Sequence, residues 1–177
     1  MDFKRLEKNL TDNILEAQIK LGYDGRPMSL NYTNASLMHL TGTEDTDSML
    51  KEFAEYAVSR LGKLTFRSIK DGICITVPSE GTAYVHDKAD KNGFISRFID
   101  TVRSHTTVEK VLDVFREFSD DVAVQEMDNE EFQYLVYFRN GEPDDYRYCL
   151  SVEEEIDGSS HITYHRFIEE DYNDLGF

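Results

Sequence analysis

A chain of 177 residues with 40% hydrophobic and 12% aromatic side chains is long enough to bury a proper core, and it reads as a single domain over 1–177. Of its net charge of −16, −14 falls in residues 120–177, where 17 Asp and Glu face three Arg and no Lys. That balance excludes nucleic acid and anionic membrane as partners of this third and favours cationic surfaces or metal ions. A disordered acidic tail is excluded as well, because Phe132, Tyr134, Tyr137, Phe138, Tyr146, Tyr148, Tyr164 and Phe167 lie within it.

Taken in chain order, residues 2–21 repeat Phe3, Leu6, Leu10, Ile14, Ala17 and Leu21 at helical steps, and Gly22 ends the helix. Tyr23–Pro27 has turn chemistry and Met28–Tyr32 is short and extended. Thr33 or Asn34 caps a short helix carrying Ala35, Leu37, Met38 and Leu40, closed by Gly42. Thr46 or Asp47 caps the next, whose stripe is Met49, Leu50, Phe53, Ala57, Val58 and Leu61. At Gly62 the period changes to alternation. Leu64, Phe66 and Ile69 precede Asp71-Gly72, and Ile73, Ile75 and Val77 follow, which predicts a hairpin over 64–77. A short helix is expected around Ala83–Lys88. Two stronger ones follow, on Phe94, Ile95, Phe98, Ile99 and Val102, and on Val108, Val111, Leu112, Phe115 and Phe118, the latter capped by Thr106 or Thr107. Residues 122–127, 131–139, 146–153 and 161–168 alternate as four strands of a meander, one face packed and the other, with Gln133, Arg139, Arg147, Ser151 and Glu153, wet. Glu169–Phe177 reads as one helical turn or a frayed end.

This order, helical over 1–62, hairpin over 64–77, helices over 79–118 and β-meander over 122–168, segregates helices from strands. The fold class is α+β, with N-terminal and central helices packed on an antiparallel sheet made of the hairpin and the four-stranded meander. The helices before residue 62 are too few to build a core alone. Cys74 and Cys149 fall in β-like runs, as buried thiols do, and imply no disulfide framework. No apolar h-region opens the chain and no apolar run reaches the ~20 residues that span a bilayer, so a cytoplasmic location is expected.

Chemical motifs are sparse. Lys88–Gly93 resembles part of a calcium loop, but aligning Gly93 with the loop glycine puts Lys88 at the first ligand and Ile99 at the bidentate one. His161 and His165 have the spacing of a helical zinc site, yet on a strand they stand about 13 Å apart, too far for nitrogens that must each lie ~2.0–2.1 Å from zinc. His39, His86 and His105 read as capping, surface or core histidines. No nucleophile elbow, cysteine signature or phosphate-cradling glycine loop occurs, so no catalytic residue, metal ligand or cofactor is assigned. Two groups are candidates for binding. Gln18, Lys20, Tyr23, Arg26, Asn31, Tyr32 and His39 gather polar groups around the first turn, with Tyr23, Arg26, Tyr32 and His39 as the ligand-binding candidates. Asp144, Asp145, Glu153 and Glu155 are the candidate acidic interaction face.

The run Ala17-Gln18-Ile19-Lys20-Leu21-Gly22-Tyr23, with Ser36-Leu37-Met38-His39-Leu40 after it, resembles the family called domain of unknown function 3877, from anaerobic gut bacteria. The resemblance extends over essentially the whole chain. It implies a bacterial cytoplasmic protein and carries no activity, cofactor or catalytic residue with it. The concentration of −14 on a segment that must fold leads instead to the expected function, a non-enzymatic interaction protein whose acidic sheet face binds a basic protein partner. The alternatives are an enzyme or small-molecule binder with a cleft between helices and sheet, and an immunity or inhibitor protein that masks a basic toxin.

Overall fold

The computed structural model describes residues 1–171 and divides into two compact units, Met1–Ala89 and Asp90–Phe177. The expected run of helices over 79–118 is therefore shared, one helix in the first unit and two in the second.

In the first unit, α1 (Phe3–Leu21) starts where the Asp2 carboxylate accepts the Arg5 N–H, and it buries Leu6, Leu10, Ile14 and Gln18 along one stripe. β1 (Met28–Thr33) runs into α2 (Asn34–Thr41), capped by Thr33 through the Ser36 N–H at 3.0 Å. The cap of α3 (Thr46–Leu61) is Asp45, whose carboxylate accepts the Ser48 N–H; Thr46 and Asp47 already lie inside the first turn. β2 (Thr65–Ile69) and β3 (Gly72–Val77) form the expected hairpin, but the turn is Lys70-Asp71, with Asp71 at φ 58°. Gly72 has gone into the strand. A Cβ there would collide with the Tyr32 carbonyl of β1, so its lack of a side chain lets a third strand join. The sheet order is β1-β3-β2, all antiparallel. α4 (Ser79–Lys88) begins four residues before the expected helix, directly after Pro78.

In the second unit, α5 (Phe94–Arg103) and α6 (Val108–Phe118, capped by Thr107) precede β4 (Val122–Glu126), β5 (Tyr134–Phe138), β6 (Arg147–Glu154) and β7 (Ser160–Phe167). These four strands make an antiparallel sheet in chain order, so hairpin and meander occupy two separate sheets. The core is aromatic. The Tyr148 ring stands 5.8, 4.8 and 5.2 Å from those of Phe94, Phe98 and Phe115, near perpendicular to each. The other sheet face, expected to be wet, carries a second small cluster. Register sets Leu135 opposite Cys149; with Phe167 they are buried, and Met127, Phe132 and Tyr137 pack against them. That face is polar only at its margins. Glu169–Asp171 make one tight turn, and the rest of 169–177 lies outside the described residues.

Candidate functional site

Strand register sorts the charges of the second unit by position along the sheet. β4 ends at Glu126, opposite Tyr134 at the start of β5. The connection between them lies beside β6: Gln133 donates its N–H to the Leu150 carbonyl at 2.9 Å and accepts the Val152 N–H on its side-chain oxygen at 2.7 Å. β6 then continues past β5 through Glu153 and Glu154 into its own turn with β7. Both loops thus occupy one end of the sheet. Between them, residues 126–133 and 152–162 hold eight carboxylates, those of Glu126, Asp128, Glu130, Glu131, Glu153, Glu154, Glu155 and Asp157, and no Lys or Arg. All eight residues are exposed. Ile156 stands fully exposed among them. His105 Nδ1 lies 4.0 Å from a Glu155 carboxylate oxygen, on the α5–α6 connection that joins this end where Ser160 donates its N–H to the Thr106 carbonyl. Hydrogen bonds from the Ser159 hydroxyl and N–H hold the Asp157 carboxyl below its usual range.

The three arginines of this region sit at the opposite end, each on a carboxylate. Arg139 meets Asp121 at 3.2 Å, Arg147 meets Glu169 at 2.9 Å, and Arg166 meets Asp144 at 3.1 Å. The last pair is inside the protein, with side chains 4% and 2% exposed. Tyr148 donates its hydroxyl to Asp144 at 2.8 Å and accepts from Arg166 Nε at 2.9 Å, while the Tyr146 ring stacks on the guanidinium at 3.8 Å. Burial pushes the Tyr148 phenol well above its usual range, against the opposing pull of Arg166. The Tyr146 N–H completes the Asp144 shell at 2.6 Å. Asp144 therefore does not belong to a solvated acidic face: it is consumed in anchoring the β5–β6 turn to β7. Asp145, beside it, is half-buried at the same arginine-bearing end, whereas Glu153 and Glu155 stand at the carboxylate end.

The N-terminal candidates are held by four different sets of neighbours. Tyr23 stacks on His86 of α4, ring centres 4.0 Å apart and nearly parallel. Arg26 is exposed and pairs with Asp24, while its carbonyl accepts the Thr82 hydroxyl. Tyr32 is buried, its hydroxyl donating to Asn9 at 2.9 Å and accepting from Asn13. His39 accepts from Arg5 through both its carbonyl and Nε2, at 3.1 and 2.8 Å. Of the remaining polar residues of that group, Gln18 donates to the Thr82 carbonyl, Lys20 pairs with Glu16 along α1, and Asn31 is exposed on β1. His161 and His165 lie on β7, an extended strand. No group of three or more His, Cys, Asp or Glu placed to hold a metal occurs among the described residues. No helix among them is long and apolar enough to cross a membrane.

The residues missed at sequence level are those of the β4–β5 loop, Glu126 to Glu131. Their signal was available: a two-strand offset in an antiparallel meander returns every second loop to the same end.

Fold and charge layout define a class, an α+β protein with two antiparallel sheets, one of them acidic at both ends with its three arginines at one end only. Within that class, the family model described as "Domain of unknown function, E. rectale Gene description (DUF3877)" matches residues 3–176, and the chain belongs to this family. No curated protein and no solved structure matches it.

Proposed function

We propose that this protein is a non-enzymatic interaction protein that receives a basic partner on the carboxylate end of its C-terminal sheet. The observation that carries the reading is the segregation itself: eight exposed carboxylates at one end, and all three arginines of β5–β7 and their flanks at the other. Like charges gathered within a Debye length of about 8 Å repel one another, and a cationic surface relieves that repulsion and is steered toward it. Exposed Ile156 supplies an apolar contact at the centre of the charged rim, which is the arrangement of an interface anchor. The ligand-cleft alternative has less support, because Tyr23, Arg26, Tyr32 and His39 each serve neighbours of their own.

Capture of partners on the immobilised full chain, at low salt and at about 0.5 M salt, tests this reading. The partners retained at low salt are expected to be basic and to leave at high salt. A Glu153→Gln, Glu154→Gln, Glu155→Gln variant is expected to lose them. Equal retention by the variant would refute it.

A further inference from the structure

The first unit holds an open groove of about 840 Å³ between α2, the α2–α3 connection and the tip of the β2–β3 hairpin. Its apolar lining is Ala35 and Met38 of α2, with Ile69 and the largely buried Ile73 of the hairpin. Met38 is 44% exposed there, where a helix of a closed core would have hidden it. The rim is of one sign. Glu44, Asp45, Asp47 and Asp71 all line the groove and all are exposed, and none of its lining residues is Lys or Arg. This concentration is local, because residues 1–89 as a whole carry 13 acids against 11 bases.

An apolar floor inside an anionic rim selects an occupant that is apolar on one side and cationic on the other. We propose that the groove binds a peptide segment of a partner protein in which Lys or Arg alternates with apolar residues. The apolar side chains lie on Met38, Ile69 and Ile73, and the cationic ends reach the four carboxylates. Methionine suits such a floor, since an unbranched thioether adapts to differing side-chain shapes. A bare metal ion would leave the floor unused, and a nucleic acid would meet four carboxylates. Because the rim acids are exposed, the groove is accessible along its length to a chain segment. The inference shares with the reading above the charge of the partner, but it concerns a different unit and different residues, so the two stand or fall separately.

The test is a titration of the uniformly ¹⁵N-labelled full chain with a synthetic peptide of alternating Lys and Leu, beside a peptide of equal charge with Ser in place of Leu. The Lys-Leu peptide is expected to shift the amides of Asn34, Met38, Asp47, Ser68 and Gly72 saturably. A Glu44→Gln, Asp47→Asn, Asp71→Asn variant should bind at least about tenfold more weakly, with its thermal unfolding unchanged. Asp45 is left alone because it caps α3. The Glu153→Gln, Glu154→Gln, Glu155→Gln variant should bind at the groove as the parent does. Groove shifts would uphold this proposal whatever the sheet end does, and shifts confined to residues 126–162 would overturn it while leaving the sheet-end reading in place. Equal binding of the Lys-Ser peptide at the groove, or unchanged affinity in the groove variant, would overturn the proposal.

Discussion

The two units differ in how deep their ion pairs reach. Within residues 1–89, opposite charges meet near the surface: Lys8 with Asp12 and Lys20 with Glu16 one helical turn apart, and Arg60 of α3 with Glu7 of α1, the side chains 33% and 15% exposed. Within residues 90–171, Arg97 with Glu117 and Arg139 with Asp121 likewise meet at the surface, but Arg166 with Asp144 is taken out of water, and eight carboxylates gather at one end of the sheet. A surface pair contributes at most about 1 kcal/mol, since water already solvates both partners. A buried pair contributes little as a pair but becomes costly once broken, because the survivor is left uncompensated. The second unit thus holds, beside its surface pairs, one pair that pins the structure.

The sharpest way to break this comparison is to delete one cation from each unit. Arg166→Met leaves the Asp144 carboxylate buried without its counter-charge, and should destabilise by about 3–5 kcal/mol. Lys20→Met, which removes the partner of Glu16 one turn away on α1, should cost about 1 kcal/mol or less. Urea denaturation followed by circular dichroism reads both, and equal losses would contradict the distinction. Next in size, Gly72→Ala drives a methyl group into the Tyr32 carbonyl and should cost about 2–3 kcal/mol through displacement of β1. This loss should report on the first unit's sheet and leave the aromatic near-ultraviolet signal of the second unit in place.

Alkali should act on the second unit. Burial pushes the Cys149 thiol from 9.0 up to about 11, and burial likewise raises Tyr148. Both groups are neutral in the fold at pH values where the unfolded chain has already released the proton. The stability they represent is therefore complete below pH 9, and it falls as pH rises through the window from 9 to about 11 for Cys149 and above 10 for Tyr148. The slope should be up to about 1.4 kcal/mol per pH unit for each group. Cys149→Ala should remove the first part of the decline, measured as urea midpoints across the alkaline range. The smallest effect concerns Thr106, whose buried hydroxyl has no hydrogen-bond partner. Thr106→Val keeps the shape and removes the orphan, and should raise stability by about 1 kcal/mol.

Much of this layout was legible in the residue pattern, for physical reasons that also explain what was not. Helices α1, α3, α5 and α6 announce themselves through stripes such as Leu6, Leu10 and Ile14, because one buried face at a 3.6-residue period leaves little ambiguity. The meander shows in the alternation of Tyr146, Tyr148, Leu150 and Val152. Met28–Tyr32 was legible as extended, but its pairing with β3 was not, since nothing local says that Gly72 is a docking surface for a carbonyl. Asp144 illustrates the larger gap. In a Pro-Asp-Asp turn a carboxylate reads as solvated, and only Arg166, 22 positions away, decides that it is buried. Leu135 and Cys149 share a sheet face with Gln133, Arg147 and Ser151 along their own strands, and only cross-strand register reveals that they meet.

The two cysteines fall one to a unit, Cys74 on β3 and Cys149 on β6, with relative exposures of 4% and 0%. Each thiol can be alkylated only when its own sheet loosens. A maleimide pulse under native conditions, followed by peptide mass analysis, would therefore time the opening of each half of the molecule separately, with no cysteine introduced.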